Sequence, residues 1–397
     1  MPYLDVLAPS FSFTSPETLA AQDAGWYADS PIGPVVLRYA EANDLLRDKR
    51  FDHGGEGYLL RNGVTGGPIH DWYVPMIVNH DGPDHRRLRG LVGRAFTPRM
   101  VESLRPFIRA RAERLADEMT GADGVEFVDA FADRLPLAVM CELLGVPAAD
   151  YDVFSRWSSD IGLVFGLANG GDTVARVERA VAGLDGYVDE LMDRKAAAPG
   201  EDVISVLLAA MAEDGTASRD EVRNLLVTLV FAAHDNTRHQ FSNCIVTFAE
   251  HPAQWTLLRD DPSLAGRAVE ECMRWRPSAG NLFRRAAVDL TFHGVDMPAG
   301  TFVTAAVLTA QRDPRAYPGG RVFDITATRE APLLQFGAGP HYCLGAALAR
   351  TELLEALPVL VSRFGPPELP PEPLDWRPPL GTQGPESLPI RFASAPA

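Results

Sequence analysis

The chain has 397 residues, 46% of them hydrophobic and 23% charged, which is enough apolar material for a large buried core. The formal net charge of −16 at pH 7 argues against binding to nucleic acid or to an anionic membrane surface. The N-terminus lacks a basic region followed by an apolar run, and no apolar stretch reaches about 18 residues, so we expect neither a signal peptide nor a membrane span.

The first 75 residues predict short strands, a short helix and one long loop. Residues 35–39 have the composition of a strand, and residues 41–48 that of a helix. Residues 52–75 contain six glycines and several aromatic side chains but no regular period. We therefore predict a loop there, and loops of this length are usually functional.

The rest of the chain is dominated by helical periodicity. The predicted helices are residues 84–95, a short piece after Pro98, a longer helix from Pro106, most of 125–160 with a break at 145–147, two runs joined by 166–172, 219–251 and 263–275. Short alternating segments near Leu290 and Thr301 predict a small sheet, and the proline-rich residues 366–379 predict a surface loop. We therefore predict a mainly α protein with a small β part, an α+β unit formed as one domain over residues 1–397, with a β-rich N-terminal part to about residue 75.

The four cysteines, at positions 141, 244, 272 and 343, are far apart and form no C-x-x-C pair. This spacing indicates neither a zinc site nor a disulfide framework, and it fits a reducing cytoplasm. Three of them have apolar, helix-like surroundings and are expected to pack as small hydrophobic side chains. Cys343 differs because a loop precedes it and an alanine-rich helical run follows it.

The sequence F-G-A-G-P-H-Y-C-L-G at Phe336–Gly345 contains two glycines and a proline, which exclude a regular helix. Cys343 then stands at the entrance of a helix, where the free amides of Leu344 and Gly345 would point at its sulfur and favour a thiolate. A thiolate in a loop of small residues suits an axial ligand of haem iron. An inert buried cysteine or a nucleophilic thiol are the alternatives.

This decapeptide resembles the haem-binding signature of the cytochrome P450 family, in which Phe, two Gly, a basic residue, Cys and Gly recur at this spacing. The resemblance implies a P450-like fold that encloses haem b, iron protoporphyrin IX, with an axial thiolate. It makes Cys343 the iron ligand, places Phe336 under the sulfur and gives His341 a haem propionate as its partner. Gly345 belongs to the same cofactor-binding set.

A second segment, E-E-C-M-R-W-R-P at 270–277, places Glu271 and Arg274 on one helix face. Taken alone, such a pair is most often a solvated surface ion pair. The resemblance instead implies the structural E-x-x-R pair that fixes its helix to the loop before the cysteine.

The resemblance implies three propionate partners besides His341. His85 and Arg89 lie four residues apart on a predicted helix, and Arg offers a bidentate fork to a carboxylate. By the resemblance, Arg284 aligns with another position that binds a propionate in the family. Arg285 would take that role if the alignment shifts by one residue. A solvated surface cation is the alternative for each.

The centre of the long helix, F-A-A-H-D-N-T-R-H at 231–239, resembles the segment that crosses the haem in this family. Ala232 and Ala233 take the small positions that leave room for dioxygen and substrate, and Asp235 takes the position of the acid in proton delivery. The usual threonine is replaced by Asn236, and Thr237 follows one residue late. One residue is about 100° on a helix, so Thr237 cannot occupy the usual place unless the helix bulges.

The implied function is a haem-thiolate monooxygenase that inserts one atom of dioxygen into a small or medium-sized, mostly apolar or aromatic substrate, in secondary or catabolic metabolism. Asn236 motivates an alternative on the same fold: oxidative coupling, desaturation or a peroxide-driven reaction. A haem-binding sensor or carrier is a third hypothesis, but it would need neither Asp235 nor electron delivery.

The remaining expectations concern partners. Six arginines lie close together in the sequence: Arg86, Arg87, Arg94, Arg99, Arg105 and Arg109. They would form a docking patch for an acidic electron-transfer protein. The alternative is that they lie on ordinary solvated helix faces. The family's bacterial members use a separate ferredoxin or flavodoxin with its reductase. We expect a cytoplasmic monomer that binds neither nucleic acid nor membranes.

Overall fold

The computed structural model describes residues 2–169 and 172–393. The α-helices in this part of the chain are α1 (Pro16–Ala24), α2 (Tyr39–Arg47), α3 (Gly55–Arg61), α4 (Pro68–Tyr73), α5 (Gly82–Ala95), α6 (Pro98–Met119), α7 (Arg134–Leu144), α8 (Tyr151–Gly162), α9 (Thr173–Ala197), α10 (Val203–Asp214), α11 (Arg219–Glu250), α12 (Pro252–Asp260), α13 (Ala265–Trp275), α14 (Val307–Ala310) and α15 (Ala346–Arg363). None of them is both long and apolar enough to cross a lipid bilayer.

Ten short strands accompany these helices in the described residues. They are β1 (Tyr27–Ala28), β2 (Val35–Val36), β3 (Phe51–Asp52), β4 (Val125–Glu126), β5 (Leu282–Ala286), β6 (Leu290–Phe292), β7 (Val295–Met297), β8 (Phe302–Ala305), β9 (Pro367–Glu368) and β10 (Pro389–Phe392). The largest sheet has the order β1-β2-β8-β5-β3, in which only the β2–β8 pair is parallel. The predicted mainly α architecture with a small β part is confirmed.

Helix α11 is the central element of the core. A capping box between Ser218 and Glu221 begins the helix, which continues without a bulge for 32 residues. It contacts α7, α8, α9 and α13, and most of its side chains are buried. Helix α15, which follows Cys343, packs against α6 and α13 and so attaches the cysteine loop to the same core.

The segment 52–75 is not the single loop that its composition predicted. It contains α3 and α4, whose buried side chains include Tyr58, Trp72 and Tyr73. Each helix has fewer than eight residues, which is too short for a helical period to be visible among so many glycines. With four helices and three two-residue strands before residue 75, the N-terminal part is more helical than expected.

Helix α6 also differs from the prediction, because it runs as one helix through Pro106. Proline removes the amide that would bond to the carbonyl four residues earlier. Pro106 and Glu102 are both exposed, so solvent can satisfy the freed carbonyl, while Ile108 and Leu104 on the other side stay buried. The predicted joint at 166–172 lies partly outside the described residues; a 3-10 turn covers Leu163–Asn169.

Candidate functional site

The cysteine loop is built from two 3-10 turns, Leu334–Phe336 and Gly339–His341. Gly337 and Gly339 have φ angles of 69° and 67°, a left-handed conformation that favours glycine. The amide of Cys343 donates a hydrogen bond of 2.7 Å to the carbonyl of Phe336, which closes the loop. The sequence pattern of this loop therefore corresponds to a defined backbone structure that presents one cysteine.

The sulfur of Cys343 is held at the start of α15. Cys343 is exposed, whereas Cys141, Cys244 and Cys272 are buried. Protein packed around the Cys343 sulfur raises its pKa, and the amides of Gly345 and Ala346, together with Arg89 and Arg350, oppose that increase. The sequence analysis expected the amides of Leu344 and Gly345 at the sulfur; the structure supports Gly345 and adds the amide of Ala346, the first residue of α15.

Phe336 and a neighbouring arginine support the loop from the protein side. Phe336 is buried, and the guanidinium carbon of Arg350 lies 4.4 Å from the centre of its ring. Arg350 also donates to the carboxylate of Glu270. Sequence analysis missed Arg350, although its position one turn into α15 on the side of the cysteine was a usable signal.

A group of cationic and titratable side chains lies beside this loop. The ring of His341 is 4.2 Å from the ring of His85 and 4.4 Å from that of His53, measured between centroids. His341 Nε2 is 2.9 Å from Asp81 Oδ1, and that hydrogen bond lowers the pKa of Asp81. Arg284 is close enough to influence the pKa values of His53 and Asp81. The strands and helices thus bring together residues from four distant parts of the sequence.

This group has too few negative charges of its own. Arg284 is only 4% exposed, its guanidinium has no ion pair among the described residues, and burial lowers its pKa to about 10. His53 Nδ1 is buried and has no hydrogen-bond partner in the described part of the chain. Within residues 2–169 and 172–393, Asp81 is the one carboxylate bound to the group, so two added carboxylates would satisfy an otherwise costly arrangement. These residues therefore fit the two propionates of a haem.

Strand pairing gives Arg284 and Arg285 different surroundings. Asp52 on β3 pairs with Arg285 on β5, and the Arg285 guanidinium binds both carboxylate oxygens of Asp52 at 3.0 and 2.7 Å. Successive side chains of a strand point to opposite faces, so Arg284 points the other way. His53, which follows Asp52, was not recognised from the sequence because only this pairing brings it near Arg284.

Arg89 connects α5 with the cysteine loop. Its Nη2 donates a 2.6 Å hydrogen bond to the carbonyl of Tyr342, the residue before Cys343. Arg89 and His85 lie four residues apart on α5, and His85 is 4% exposed. Burial, followed by the charges of His341 and Arg89, lowers the pKa of His85 to about 4, so His85 is neutral at pH 7 and can donate from one ring nitrogen.

One face of α11 is accessible although the rest of the helix is buried. Leu229, Ala232, Ala233 and Asn236 are the partly or fully accessible residues of its middle section, at the spacing i, i+3, i+4, i+7 of a single helix face. The two alanines keep this face flat, which leaves space for a large planar group. Asn236 lies on the accessible face, and its Nδ2 is 3.4 Å from the carbonyl of Ala232.

Asp235 and Thr237 lie off this accessible face. Thr237 is 4% exposed, as expected for a residue one position late on a helix without a bulge. Asp235 is 0% exposed, and its Oδ2 accepts a 2.9 Å hydrogen bond from Arg377. Burial by itself raises the pKa of Asp235, but Arg377, His239 and Arg238 outweigh burial and lower it. Sequence analysis missed Arg377, which is 142 positions away.

The E-x-x-R pair is buried and bidentate. Arg274 Nε and Nη2 each donate a 2.7 Å hydrogen bond to Glu271, and Arg274 also bonds to the carbonyls of Gln311, Gly320 and Val322. Arg329, which the sequence analysis missed, binds the same carboxylate of Glu271 at 3.1 and 3.2 Å. The pair therefore fastens α13 to the segment that leads to the cysteine loop.

Gln311 continues this connection towards the cysteine. Its Nε2 donates to the carbonyls of Met273 and Arg274, and its Oε1 accepts from the amides of Leu334 and Gln335. One buried side chain thus joins the end of α13 to the first 3-10 turn of the loop. A shift of α13 would be passed directly to the loop that holds Cys343.

Several of the six arginines proposed as a docking patch form ion pairs within the molecule. Arg87 pairs with Glu221 at 2.6 Å, and Arg105 and Arg109 bind opposite oxygens of the buried Glu355 on α15 at 2.8 and 2.7 Å. Glu355 has only 3% of its side chain exposed, whereas that of Arg109 is 55% exposed. These two arginines therefore support the α6–α15 contact and still present positive charge to solvent.

Comparison with known proteins agrees with this geometry. The cytochrome P450 family model matches residues 263–376, which include the E-x-x-R pair and the cysteine loop. A cytochrome P450, CYP109Q5 from Chondromyces apiculatus, has a similar structure, with a TM-score of 0.88 and 30% identity over 100% of this chain and 99% of that chain.

Two curated proteins are similar over most of their length. The luteothin monooxygenase of Streptomyces thioluteus is 41% identical over 396 residues, covering 100% of this chain and 97% of that protein. The mycinamicin IV hydroxylase/epoxidase of Micromonospora griseorubida is 36% identical over 366 residues, covering 90% and 88%. The chain therefore belongs to the cytochrome P450 family, and it is an oxidoreductase of the monooxygenase class that uses haem b with an axial cysteine thiolate, dioxygen and a redox partner.

Proposed function

We propose that Cys343 is the axial ligand and that the residues around the cysteine loop hold the haem. His85, Arg89, Arg284 and His341 would bind the two propionates, together with the additional residue His53. Phe336 would pack under the sulfur, and Ala233 and Gly345 would leave room for the ring. The observation that carries this proposal is a group with two arginines, Arg89 and Arg284, but one bound carboxylate among the described residues, Asp81. It lies beside a cysteine that is exposed and faces helix amides.

The bound haem supplies the activation of dioxygen, and the thiolate assists cleavage of the O–O bond. The protein must then position the substrate, exclude bulk water and supply protons. We assign proton supply to Asp235, the one carboxylic acid in the segment 231–239. Asn236, on the accessible face, would hold a water molecule near the reacting oxygen through its amide. Thr237 receives less support, because it is buried on another face.

The substrate we propose is a small or medium-sized, mostly apolar or aromatic molecule of secondary metabolism. Phe283 stacks on Tyr58 with ring centroids 4.8 Å apart, and further ring contacts through Tyr73 and Phe165 lead to Phe231 on α11. Phe165 and Phe283 are only half-buried and can contact a ligand. A relative named for its action on luteothin is consistent with this class of substrate.

Electrons would come from a separate ferredoxin or flavodoxin and its reductase. Arg105 and Arg109 lie on α6 and bind Glu355 on α15, so they place positive charge beside the helix that follows the cysteine loop. We propose a monomer located in the cytoplasm, in line with four cysteines that are all free.

A second candidate function is a different oxidation on the same scaffold. Asn236 replaces the hydroxyl residue that is usual in the family. Coupling, desaturation or a peroxide-driven reaction would follow if the proton supply through Asn236 differs from that of a hydroxylase. The two functions make opposite predictions for Asn236→Thr, which are given in the Discussion.

The decisive experiment is a screen of natural-product ligands for a shift of the haem absorption band, followed by product analysis with mass spectrometry. Incorporation of one ¹⁸O atom from ¹⁸O₂ into the product establishes the monooxygenase reaction on that substrate. A product without the label supports the second function if it has two hydrogens fewer than the substrate. An unlabelled product that contains a new ring or a new bond between two parts of the substrate supports it as well.

A further inference from the structure

Arg312, which lies just after α14, is a buried cation with an unused pair of donors. It is 6% exposed, and its side chain makes one hydrogen bond, from Nη1 to the carbonyl of Leu308 at 2.9 Å. Its Nε and Nη2 donate to no group in the described part of the chain. These two nitrogens form the edge of a guanidinium that binds two oxygens of an oxyanion in parallel. The edge best suited to an oxyanion is therefore the one without a partner.

The other buried arginines have an anionic partner or an assigned one. Five arginines among the described residues are buried, and three of them lie within ion-pair distance of a carboxylate: Arg238, Arg274 and Arg377. A fourth, Arg284, is assigned above to the haem propionates. Arg312 is the fifth, and no anion accounts for it within residues 2–169 and 172–393. Because a buried charge without a partner is costly, this position should gain from a bound anion.

Two carboxylates close to Arg312 in the sequence or in the fold are bound by other arginines. Asp313, the next residue, is buried and binds Arg315 at 3.0 Å. Glu250, the last residue of α11, influences the pKa of Arg312 but binds Arg276 at 2.7 Å. Neither carboxylate forms an ion pair with Arg312.

The region around Arg312 has more positive than negative charges. Four guanidinium groups lie there: Arg274, Arg276, Arg312 and Arg329. They share two carboxylates, those of Glu250 and Glu271. Burial, followed by the charges of Arg276 and Arg274, lowers the pKa of Arg312 to about 9, so Arg312 is still a cation at pH 7. The excess of positive charge favours an added anion.

The indole of Trp275, at the end of α13, contributes a further donor to this region. The guanidinium carbon of Arg312 lies 4.1 Å from the centre of the indole ring, and Trp275 Nε1 is buried with no hydrogen-bond partner among the described residues. The guanidinium of Arg276 lies over the ring of Trp376, which is 38% exposed. The region therefore combines buried donors that have no acceptor with a route to the surface.

We propose that Arg312, Arg276 and Trp275 form a binding site for a small oxyanion that carries a phosphate or a carboxylate group. Nε and Nη2 of Arg312 would bind two of its oxygens, Trp275 Nε1 would donate another hydrogen bond, and Arg276 would add charge. The site is separate from the haem chamber. Glu250, at the end of α11, is about 21 Å from Asn236, because a helix rises about 1.5 Å per residue.

Titration of the haem-loaded protein with inorganic phosphate, at an ionic strength held constant with chloride, tests this site. Calorimetry should show saturable binding, and the midpoint of thermal unfolding should rise, because the ligand binds the folded state. In NMR spectra of the reduced carbon monoxide form, the indole N–H signal of Trp275 should shift with phosphate. Trp275→Phe identifies this signal among those of the six tryptophans.

Variants assign the binding to Arg312. Arg312→Met should raise the phosphate dissociation constant roughly 10- to 100-fold, because hydrogen bonds to a charged group are lost. Arg312→Lys should restore only part of the affinity, since lysine lacks the planar fork. Glu250→Gln should bind phosphate more tightly, because a competing negative charge is removed. Arg267→Met is the matched control: Arg267 is an exposed arginine of α13 that donates to the carbonyl of Thr326, and its loss should leave the constant unchanged.

A parallel titration with acetate identifies the class of ligand. Tighter binding of phosphate than of acetate supports a phosphate group, and the reverse order supports a carboxylate. Failure of both anions to saturate the wild-type protein would refute the site, as would an unchanged phosphate affinity in Arg312→Met. If Arg312→Met does not fold, an unshifted Trp275 signal or an unchanged affinity in Glu250→Gln would refute it instead.

Discussion

Arg274 donates hydrogen bonds of 2.7 Å to both carboxylate oxygens of Glu271, and the two residues are 0% and 2% exposed. Glu271→Ala would leave a buried guanidinium with only carbonyl partners, which costs about 3–5 kcal/mol. We expect mostly haem-free or insoluble protein, measured by the ratio of haem to protein absorbance and by thermal unfolding.

The adjacent Glu270 is the matched control for this prediction. It pairs with Arg350, and its side chain is 43% exposed, so Glu270→Ala should cost at most about 1 kcal/mol. Normal haem content in Glu271→Ala together with a changed product pattern would show that the pair takes part in chemistry and is not structural.

Cys343→Ala should abolish the red-shifted absorption band of the reduced carbon monoxide complex, because the axial thiolate is lost. Cys141→Ala, which changes a cysteine buried elsewhere, should retain the band. The measurement is a difference spectrum of the reduced protein with and without carbon monoxide. If the band persists in Cys343→Ala, another residue ligates the iron.

Arg284→Met should release haem faster than the wild-type protein, without lowering the stability of the haem-free protein. A hydrogen bond to a charged group contributes about 1.5–3 kcal/mol, so transfer of haem to excess apomyoglobin should be roughly 10- to 100-fold faster. The haem-free protein should be unaffected or more stable, because a buried cation without an ion pair is removed.

Arg285→Met provides the comparison for Arg284→Met. Arg285 is bound to Asp52 on β3, so its loss should lower stability by about 1 kcal/mol or less and leave the rate of haem transfer unchanged. Faster transfer from Arg285→Met than from Arg284→Met would reverse the assignment that the strand register supports.

Turnover supported by a ferredoxin should fall steeply as ionic strength rises, because exposed charges beyond about 10 Å are screened at 0.1 M salt. Arg109→Gln should lower the rate several-fold at low salt and match the wild-type rate at high salt, while Glu355 keeps Arg105 as its partner. Arg219→Gln, which changes an exposed cation between α9 and α11, should have no such effect. A wild-type rate that is flat with salt would exclude the docking patch.

Asn236→Thr distinguishes the two proposed functions. If Asn236 holds a water molecule for an ordinary hydroxylation, threonine should preserve activity or lower the peroxide released per electron consumed. If Asn236 exists because the native reaction is not a hydroxylation, threonine should shift the products towards hydroxylated ones. Product mass spectrometry and peroxide assays decide between them. Full turnover of Asp235→Asn with peroxide, but not with dioxygen, would favour the peroxide-driven alternative.

The local patterns in the sequence were sufficient to predict the family, the cysteine loop and the course of α11. These features depend on neighbours within a few residues: glycines that allow a left-handed turn before Cys343, small residues at 232 and 233, and Glu271 one helical turn from Arg274. The helical period alone also places Thr237 on a different face from Asn236. Such information needs no knowledge of distant segments.

The tertiary structure decided the partners that lie far away in the chain. Only the pairing of β3 with β5 separates Arg284 from Arg285 and brings His53 to the histidine rings. Only the fold places Arg377 on Asp235, because these residues are 142 positions apart and neither position carries a local pattern that specifies the other. Burial then determines which charges need a partner, and burial is a property of the packed molecule that short-range spacing does not contain.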